Sequence, residues 1–358
     1  MRNHPKLVTL LLVVICLSAM SALKTGSRIS VSGRTNQMPQ LAPGDAPVPH
    51  LDLLALTHDA DVIVVGQVAS VWDGGSATAN TESPTTEGRS MIASLNVQKM
   101  IKGRIDGTVL SFDFFVPRKY SGYGKIGTSQ FGMFFLRKNA NGDYIVVDPY
   151  YPFVIASRSA TVSEGTDMDR VIAELAGILT TPGSSPEERR TAVFFLDQTR
   201  TDAATNALRQ AVRDKDTVVR LQAIAALLNR NDVSALGVAE DVLLHPSPNT
   251  DEYLRTNISI ALEGIKDSRA IPNLKSLLKA GDLQTRRGAA AALRHIGTSE
   301  AIEPLLASLN DSDRAVRYQA VIGLAEITGQ FEWGPSVDLF QKDEQRYLTY
   351  WREWAKTR

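Results

Sequence analysis

The fold is decided by one stretch of sequence. Asp282-Leu283-Gln284-Thr285-Arg286-Arg287-Gly288-Ala289-Ala290-Ala291-Ala292-Leu293 runs on through Gly297-Thr298-Ser299 to Ala301, Ile302, Leu305, Leu306 and Leu309. Asp282 suits a helix N-cap, because its carboxylate accepts the free amide protons of a first turn. Arg286, Ala289 and Leu293 stand at offsets of zero, three and seven, which is one face of a helix. Gly297-Thr298-Ser299 reads as a turn, and the apolar residues beyond it form the stripe of a second helix. Neither helix hides its stripe alone, so pairs of this kind have to stack.

The pattern recurs on both sides of that stretch, from about Pro186 to Ile327. The leucine column reads Leu196, Leu227, Leu262, Leu293 and Leu324, at spacings of 31, 35, 31 and 31. Seven residues earlier stand Arg189, Arg220, Arg255, Arg286 and Arg317. The alanine column is Ala192, Ala223, Ala289 and Ala320, with Ile258 as the exception. The capping column is Asp216, Asp251, Asp282 and Asp313, with Ser185 in the first copy. Columns kept in step over five copies define an array of helical hairpins. Ahead of it, Met168 to Leu179 has helical spacing and stops at Pro182-Gly183. Behind it, a final helix is expected from about Pro335 to Trp354, with Tyr347, Tyr350, Trp351 and Trp354 covering the last open face.

These residues resemble the HEAT family, in its short class named after the phycobilisome lyases; the period lies below the 40–47 of long HEAT repeats. The resemblance implies a structural ladder between adjacent repeats made by Asp216, Asp251, Asp282 and Asp313 with Arg220, Arg255, Arg286 and Arg317. The alternative is a set of separate solvated charges in which each aspartate is only an N-cap.

The N-terminal part is different. Arg2 and Lys6 precede an apolar run from Leu7 to Met20, and small residues follow at Ser18, Ala19, Ser21 and Ala22, the parts of a secretory signal peptide. Residues 1–22 are therefore expected to be a signal peptide and 23–49 a linker rich in Ser, Gly, Pro and Thr. An uncleaved anchor is the alternative, although the run is short for a membrane span. The single cysteine, Cys16, lies inside the apolar run behind Ile15, which does not suit lipidation. A mature chain would then hold no disulfide and no thiolate site.

Residues 50–160 read as a β-rich domain. After a short helix near Leu51 to Leu56, strands are expected at Val62–Trp72, Ser90–Met100, Val109–Val116, Phe131–Leu136 and Tyr144–Val147. A loop spans Gly74 to Arg89. Five or more strands without intervening helices suggest a small antiparallel barrel or sandwich. Three pieces, Ala60-Asp61-Val62-Ile63-Val64-Val65-Gly66, Val97-Gln98-Lys99-Met100-Ile101-Lys102-Gly103 and Gly127 with Phe131-Gly132-Met133-Phe134-Phe135-Leu136, resemble a module of bacterial exported proteins loosely similar to netrin-like, OB-type barrels. The alternative is a β-domain whose Lys-Gly is merely a turn. The fold class expected for the whole chain is thus two-domain: a mainly-β small barrel or sandwich, then an α-solenoid of helical hairpins over 166–358.

Acidic and basic residues balance, 39 against 39, so nothing in the total favours nucleic acid or an anionic membrane. His4, His50, His58, His245 and His295 include no pair at metal-site spacing, and no His-Glu pair occurs. The chain therefore lacks the iron ligands of deoxyhypusine hydroxylase, a relative built from similar repeats. No nucleophile elbow or phosphate loop is present, and no cofactor or metal is expected. The Tyr120 to Gly127 loop reads as a contact loop or a plain hairpin connection. Pro149-Tyr150-Tyr151-Pro152-Phe153 is expected to pack at the domain junction.

The function expected is that of an exported, non-catalytic interaction or scaffold protein, secreted or periplasmic, with a protein partner and no stable membrane span. The alternative is an enzyme or cofactor protein whose site is built from scattered residues. The second helices are expected to line the inner side of the solenoid with Asn206, Arg209, Glu240, Asp241, Asn273, Lys275, Glu303 and Ser308. Arg209, Lys275 and Glu303 are the candidate partner contacts. Their mixed charge suits a protein surface better than a phosphate backbone.

Overall fold

The computed structural model describes residues 51–74, 88–117, 124–159, 164–248 and 250–357. The signal peptide, the linker, Cys16, His4, His50, most of the Gly74 to Arg89 loop, and Tyr120, Gly122 and Tyr123 lie outside the described residues.

Asp52 opens the fold by accepting the N–H groups of Leu54 and Ala55 at 2.9 and 3.0 Å, which caps helix α1 (Leu53–Asp59). Five strands follow: β1 (Val62–Asp73), β2 (Gly88–Lys102), β3 (Val109–Pro117), β4 (Phe131–Lys138) and β5 (Tyr144–Val146). They close in the order β1-β2-β3-β5-β4, with β1 pairing to both β2 and β4 and with β3 parallel to β5. This is a five-stranded barrel, so the barrel alternative is the one realised. It is not wholly antiparallel as expected, because β4 carries the chain back and β5 closes on β3 in the same direction.

The unbroken apolar run of β1 has a packing reason. Val62, Val64 and Val68 enter the barrel interior with Leu95, Phe112, Phe134 and Leu136. Ile63 and Val65 point the other way, into a core shared with α1 and with helices of the second half. Strands buried on both faces lose the polar alternation of a half-solvated sheet. β4 follows the same rule: Phe134 and Leu136 face inward, and Phe131, Met133 and Phe135 join the shared core. Of the aromatic cluster, Phe153 lies 5.9 Å from the Phe134 ring, and Tyr151 and Val154 pack into the shared core.

Lys102 and Gly103 do more than turn the chain. The Lys102 Nζ donates to the carbonyls of Thr57 and His58 at 2.9 and 3.0 Å, satisfying acceptors that the end of α1 leaves unpaired. Gly103 has φ +74, and a Cβ there would lie 2.4 Å from the Asp61 carbonyl oxygen, so only glycine fits.

The helical half comprises α2 (Asp167–Thr180), α3 (Pro186–Gln198), α4 (Asp202–Ala211), α5 (Thr217–Leu228), α6 (Leu236–Leu244), α7 (Glu252–Leu262), α8 (Ile271–Leu277), α9 (Leu283–Ile296), α10 (Ile302–Ser308), α11 (Arg314–Thr328), α12 (Val337–Lys342) and α13 (Glu344–Lys356). Ser185, Asp216, Asp251, Asp282 and Asp313 each accept a first-turn N–H as N-caps. The alanine and leucine columns, with Ile258, are completely buried. The C-terminal segment departs from the single helix expected from Pro335 to Trp354. Asp343, at φ −144 and ψ 61, breaks it and caps α13.

α3, α5, α7, α9 and α11 form one layer of long helices, and α4, α6, α8 and α10 a layer of short ones. Neighbouring long helices pack extensively throughout, whereas among the short ones extensive packing joins only α6 to α8. At Gly288 a Cβ would lie 2.2 Å from the Ser259 carbonyl oxygen, so α7 and α9 approach backbone to backbone. An array curves toward its more closely packed layer. The inner side therefore belongs to the long helices, which corrects the expectation that the second helices line it.

Barrel and solenoid belong to one compact unit, residues 49–358. At their junction the Lys99 Nζ donates to both carboxylate oxygens of Glu174 at 2.7 Å and to the Ser157 carbonyl at 2.8 Å. The Glu174 side chain is 1% exposed, and burial pushes its carboxyl above the usual range while the Lys99 hydrogen bonds pull it back. Beside it, Arg170 donates to the Ile101 carbonyl at 2.7 Å.

Candidate interaction surface

The ladder residues form a two-step staircase in which the recurring columns pair with neighbours outside them. Arg189 reaches Asp214 at 2.7 Å, and the adjacent Arg190 reaches Asp216 at 2.7 Å. Three copies later Arg286 reaches Asp311 and Arg287 reaches Asp313, both at 2.8 Å. Arg317 and Arg314 share Glu344 of the terminal helix. Arg220 turns back to the carbonyls of Asp214 and Lys215. Among the described residues no ion pair reaches Asp251, Asp282, Arg220 or Arg255. The α7–α9 junction has a neutral contact instead, with the Ser259 and Thr285 hydroxyls 2.8 Å apart. The partners Arg190, Asp214, Arg287 and Asp311 had a legible signal: Arg-Arg and Asp-x-Asp recur in step at Arg189-Arg190 and Asp214-Lys215-Asp216, and again at Arg286-Arg287 and Asp311-Ser312-Asp313.

Two outcomes follow from this geometry. Arg286→Ala removes a bidentate partner from Asp311, which is only 10% exposed, and should cost about 1–3 kcal/mol in denaturant unfolding. Arg269→Ala, at an exposed pair within one turn, should leave the midpoint unchanged. Hydrogen bonds from Arg287 hold the Asp313 carboxyl at about 2. A carboxyl depressed in the folded state binds its proton less readily than in the unfolded chain. Its contribution is thus present above the ordinary value of 3.8 and is lost as pH falls through about 2. Arg287→Ala should shift acid unfolding to higher pH, read by circular dichroism.

The candidate partner contacts are each engaged in a pair. Arg209 binds Asp232 at 2.7 Å and Asn206 at 2.6 Å. Lys275 binds Glu303 at 2.8 Å, and Asn273 donates to Glu240 at 2.5 Å. These side chains cross-link successive repeats, so the short-helix face carries largely neutralised charge.

The long helices present a different face. Opposite the buried columns, at offsets of −2, 2 and 5 from the arginine, lie Val218, Gln222 and Ala225 on α5, Tyr253, Asn257 and Ile260 on α7, and Gln284 and Ala291 on α9. None of these is a lysine, arginine, histidine, aspartate or glutamate. Tyr253 is 38% exposed and Ile260 42% exposed, large apolar side chains set among amides on the inner side of the array. The Gln222 Oε1 is buried without a hydrogen-bond partner among the described residues. The histidines lie apart: His58 is beside Asp59 at 2.7 Å, His245 beside Asp241 at 3.4 Å, and the His295 Nδ1 lies 2.7 Å from the Glu263 carbonyl. Among the described residues no group of three or more His, Cys, Asp or Glu is placed to hold a metal, and no helix is long and apolar enough to cross a membrane.

Residues 172–250 and 247–325 match the family model of HEAT repeats, and the helical half of the chain is a HEAT-repeat solenoid. Among solved structures, the chain is similar to the complex of CpcE and CpcF of phycocyanin lyase from Nostoc sp. PCC7120, at 22% identity and a TM-score of 0.35, over 50% of this chain and 71% of that one. It is similar to YibA of Escherichia coli at 23% identity and a TM-score of 0.31, over 48% of this chain and 61% of that one. An engineered protein is similar at 20% identity and a TM-score of 0.34, over 51% of this chain and 94% of that one. No curated protein matches the sequence.

Proposed function

We propose that the chain is an exported, non-catalytic scaffold that holds a protein partner against the long-helix face of its HEAT-repeat solenoid. The observation that carries this reading is the pair Tyr253 and Ile260, large and exposed on the inner side among uncharged neighbours. Exposed apolar residues gathered on a concave, weakly charged surface suit a protein partner. Mixed and mutually paired charge elsewhere gives no track for a phosphate backbone.

The test begins with capture of a stoichiometric partner by the tagged mature protein from its own cell envelope. Tyr253→Asp with Ile260→Asp should then abolish binding with little change in thermal stability, since both residues are well exposed. Arg209→Glu with Lys275→Glu should leave binding intact. If the two results are exchanged, the contact is the short-helix face with Arg209, Lys275 and Glu303. A small molecule or metal co-purifying in place of a protein supports the enzyme or cofactor reading. Export is tested by sequencing the N-terminus of native protein: a start between about residues 20 and 26 fits signal cleavage, and an intact Met1 removes it.

A further inference from the structure

A cleft of about 470 Å³ lies where the barrel meets the head of the long-helix face, within the size range of ligand sites. The Arg158 guanidinium sits over the Phe131 ring, 4.2 Å from its centroid. A guanidinium held on an aromatic face keeps its N–H edge for bidentate binding of a carboxylate. Arg158 is exposed and makes no ion pair among the described residues. On the other wall, Glu188 is committed, accepting the Ser185 N–H at 2.7 Å in a capping box. Glu187, one residue earlier, is exposed and has no ion pair among the described residues. The same cleft is lined by the apolar Ile155, Ala156 and buried Ile178 and by the polar Gln130 and Thr191.

The barrel-side wall is held in an unusual shape. Ser129 has φ +71, a left-handed conformation that costs a non-glycine residue energy and persists where its surroundings impose it. Its N–H donates to the Val68 carbonyl at 2.9 Å, and its own carbonyl accepts from the Gln67 Nε2 at 3.3 Å. These two hydrogen bonds tie the wall to β1.

We infer that this cleft binds an extended peptide segment in which an apolar residue lies between an acid and a base, with Arg158 taking the carboxylate, Glu187 the ammonium and the half-buried Ile155 the apolar side chain. The inference rests on the reading that the chain holds a protein partner, and it assigns the chemistry of one contact. Opposed charges in one cleft that also offers apolar side chains favour such a segment over a purely acidic or purely basic one.

The test uses the ¹⁵N-labelled mature protein titrated with two capped tripeptides, acetyl-Asp-Leu-Lys-amide and acetyl-Asn-Leu-Gln-amide. The charged peptide should give saturable shifts at the Ala156, Ile178 and Thr191 amides. The neutral peptide, and the charged peptide with Arg158→Gln, should bind about tenfold more weakly, as expected for loss of a charge-assisted hydrogen-bond pair. Arg158→Lys keeps the charge but loses the fork, and should fall between. Equal binding of the two peptides, indifference to Arg158→Gln, or no saturable shift overturns the inference. A captured partner that depends on Tyr253 and Ile260 but binds the Arg158→Gln protein as tightly as wild type also overturns it, and leaves the scaffold reading standing.

Discussion

Lys99→Met is expected to destabilise the protein by about 3–5 kcal/mol, the cost of leaving a buried charge without its partner. Glu174 is 1% exposed and takes two of its hydrogen bonds from Lys99. The double change Lys99→Met with Glu174→Leu should recover most of the loss, because two apolar side chains replace the pair without an orphaned charge. Denaturant unfolding of the two variants separates a buried ionic junction from a surface pair, for which both changes would be small. The single variant should also respond to pH. Burial raises the Glu174 carboxyl, and removing Lys99 removes the opposing influence. An acid raised in the folded state binds its proton more readily there than in the unfolded chain, so stability falls as pH climbs from the ordinary value of 4.5 toward the folded one. The deficit of Lys99→Met should accordingly shrink on acidification below neutral pH. A deficit independent of pH would mean that Glu174 finds another cation.

The other large effect is expected at the opposite end. Trp351 on α13 is completely buried, and its Nε1 donates to the Trp333 carbonyl at 3.2 Å. The Trp333 ring in turn stacks on Tyr350 at 3.7 Å, with 3° between the planes. α13 packs on both α10 and α11, covering the face that a following repeat would have covered. Trp351→Ala should cost about 3–5 kcal/mol and promote self-association, since the uncovered end of an array is apolar. Scanning calorimetry with light scattering measures both. A loss confined to melting temperature, with a protein that stays monomeric, would mean that the remaining cap residues keep the end closed.

Much of this architecture was legible because repetition amplifies weak signals. One Asp-x-x-x-Arg would mean little, but four in step define the N-caps of successive helices. The strands were legible as β-branched and aromatic runs. What the runs also encoded, burial on two faces, was not read as contact with the second half. Val62-Ile63-Val64-Val65 lacks alternation for that reason, and no local pattern names the partner of its outer face. Glu174 was invisible for a related reason. A glutamate on an amphipathic helix looks solvent-exposed until the barrel places Lys99 against it, across 75 residues of sequence. The inner face was misassigned because hydrophobic period tells which residues a helix buries, not which layer packs more tightly. That information sits in the backbone approach at Gly288. The cleft at Arg158 draws its walls from three separate stretches of chain, none with a motif of its own.

Similar repeats carry a hazard during folding, since any hairpin can dock against the wrong neighbour and bury the same apolar stripe. The junctions described above differ from one another in a way that answers this. α3 meets α5 through two arginine–aspartate pairs, and α9 meets α11 through two more. α7 meets α9 through two hydroxyls, and Arg230 ties the end of α5 to the Leu196 and Asp197 carbonyls of α3. If Arg286 and Arg287 were set against the hydroxyl seam instead of Asp311 and Asp313, their charge would be unanswered. These seams thus work as partial addresses: the leucines and alanines would accept many stacking orders, and the polar side chains disfavour those that set an arginine pair against a hydroxyl seam.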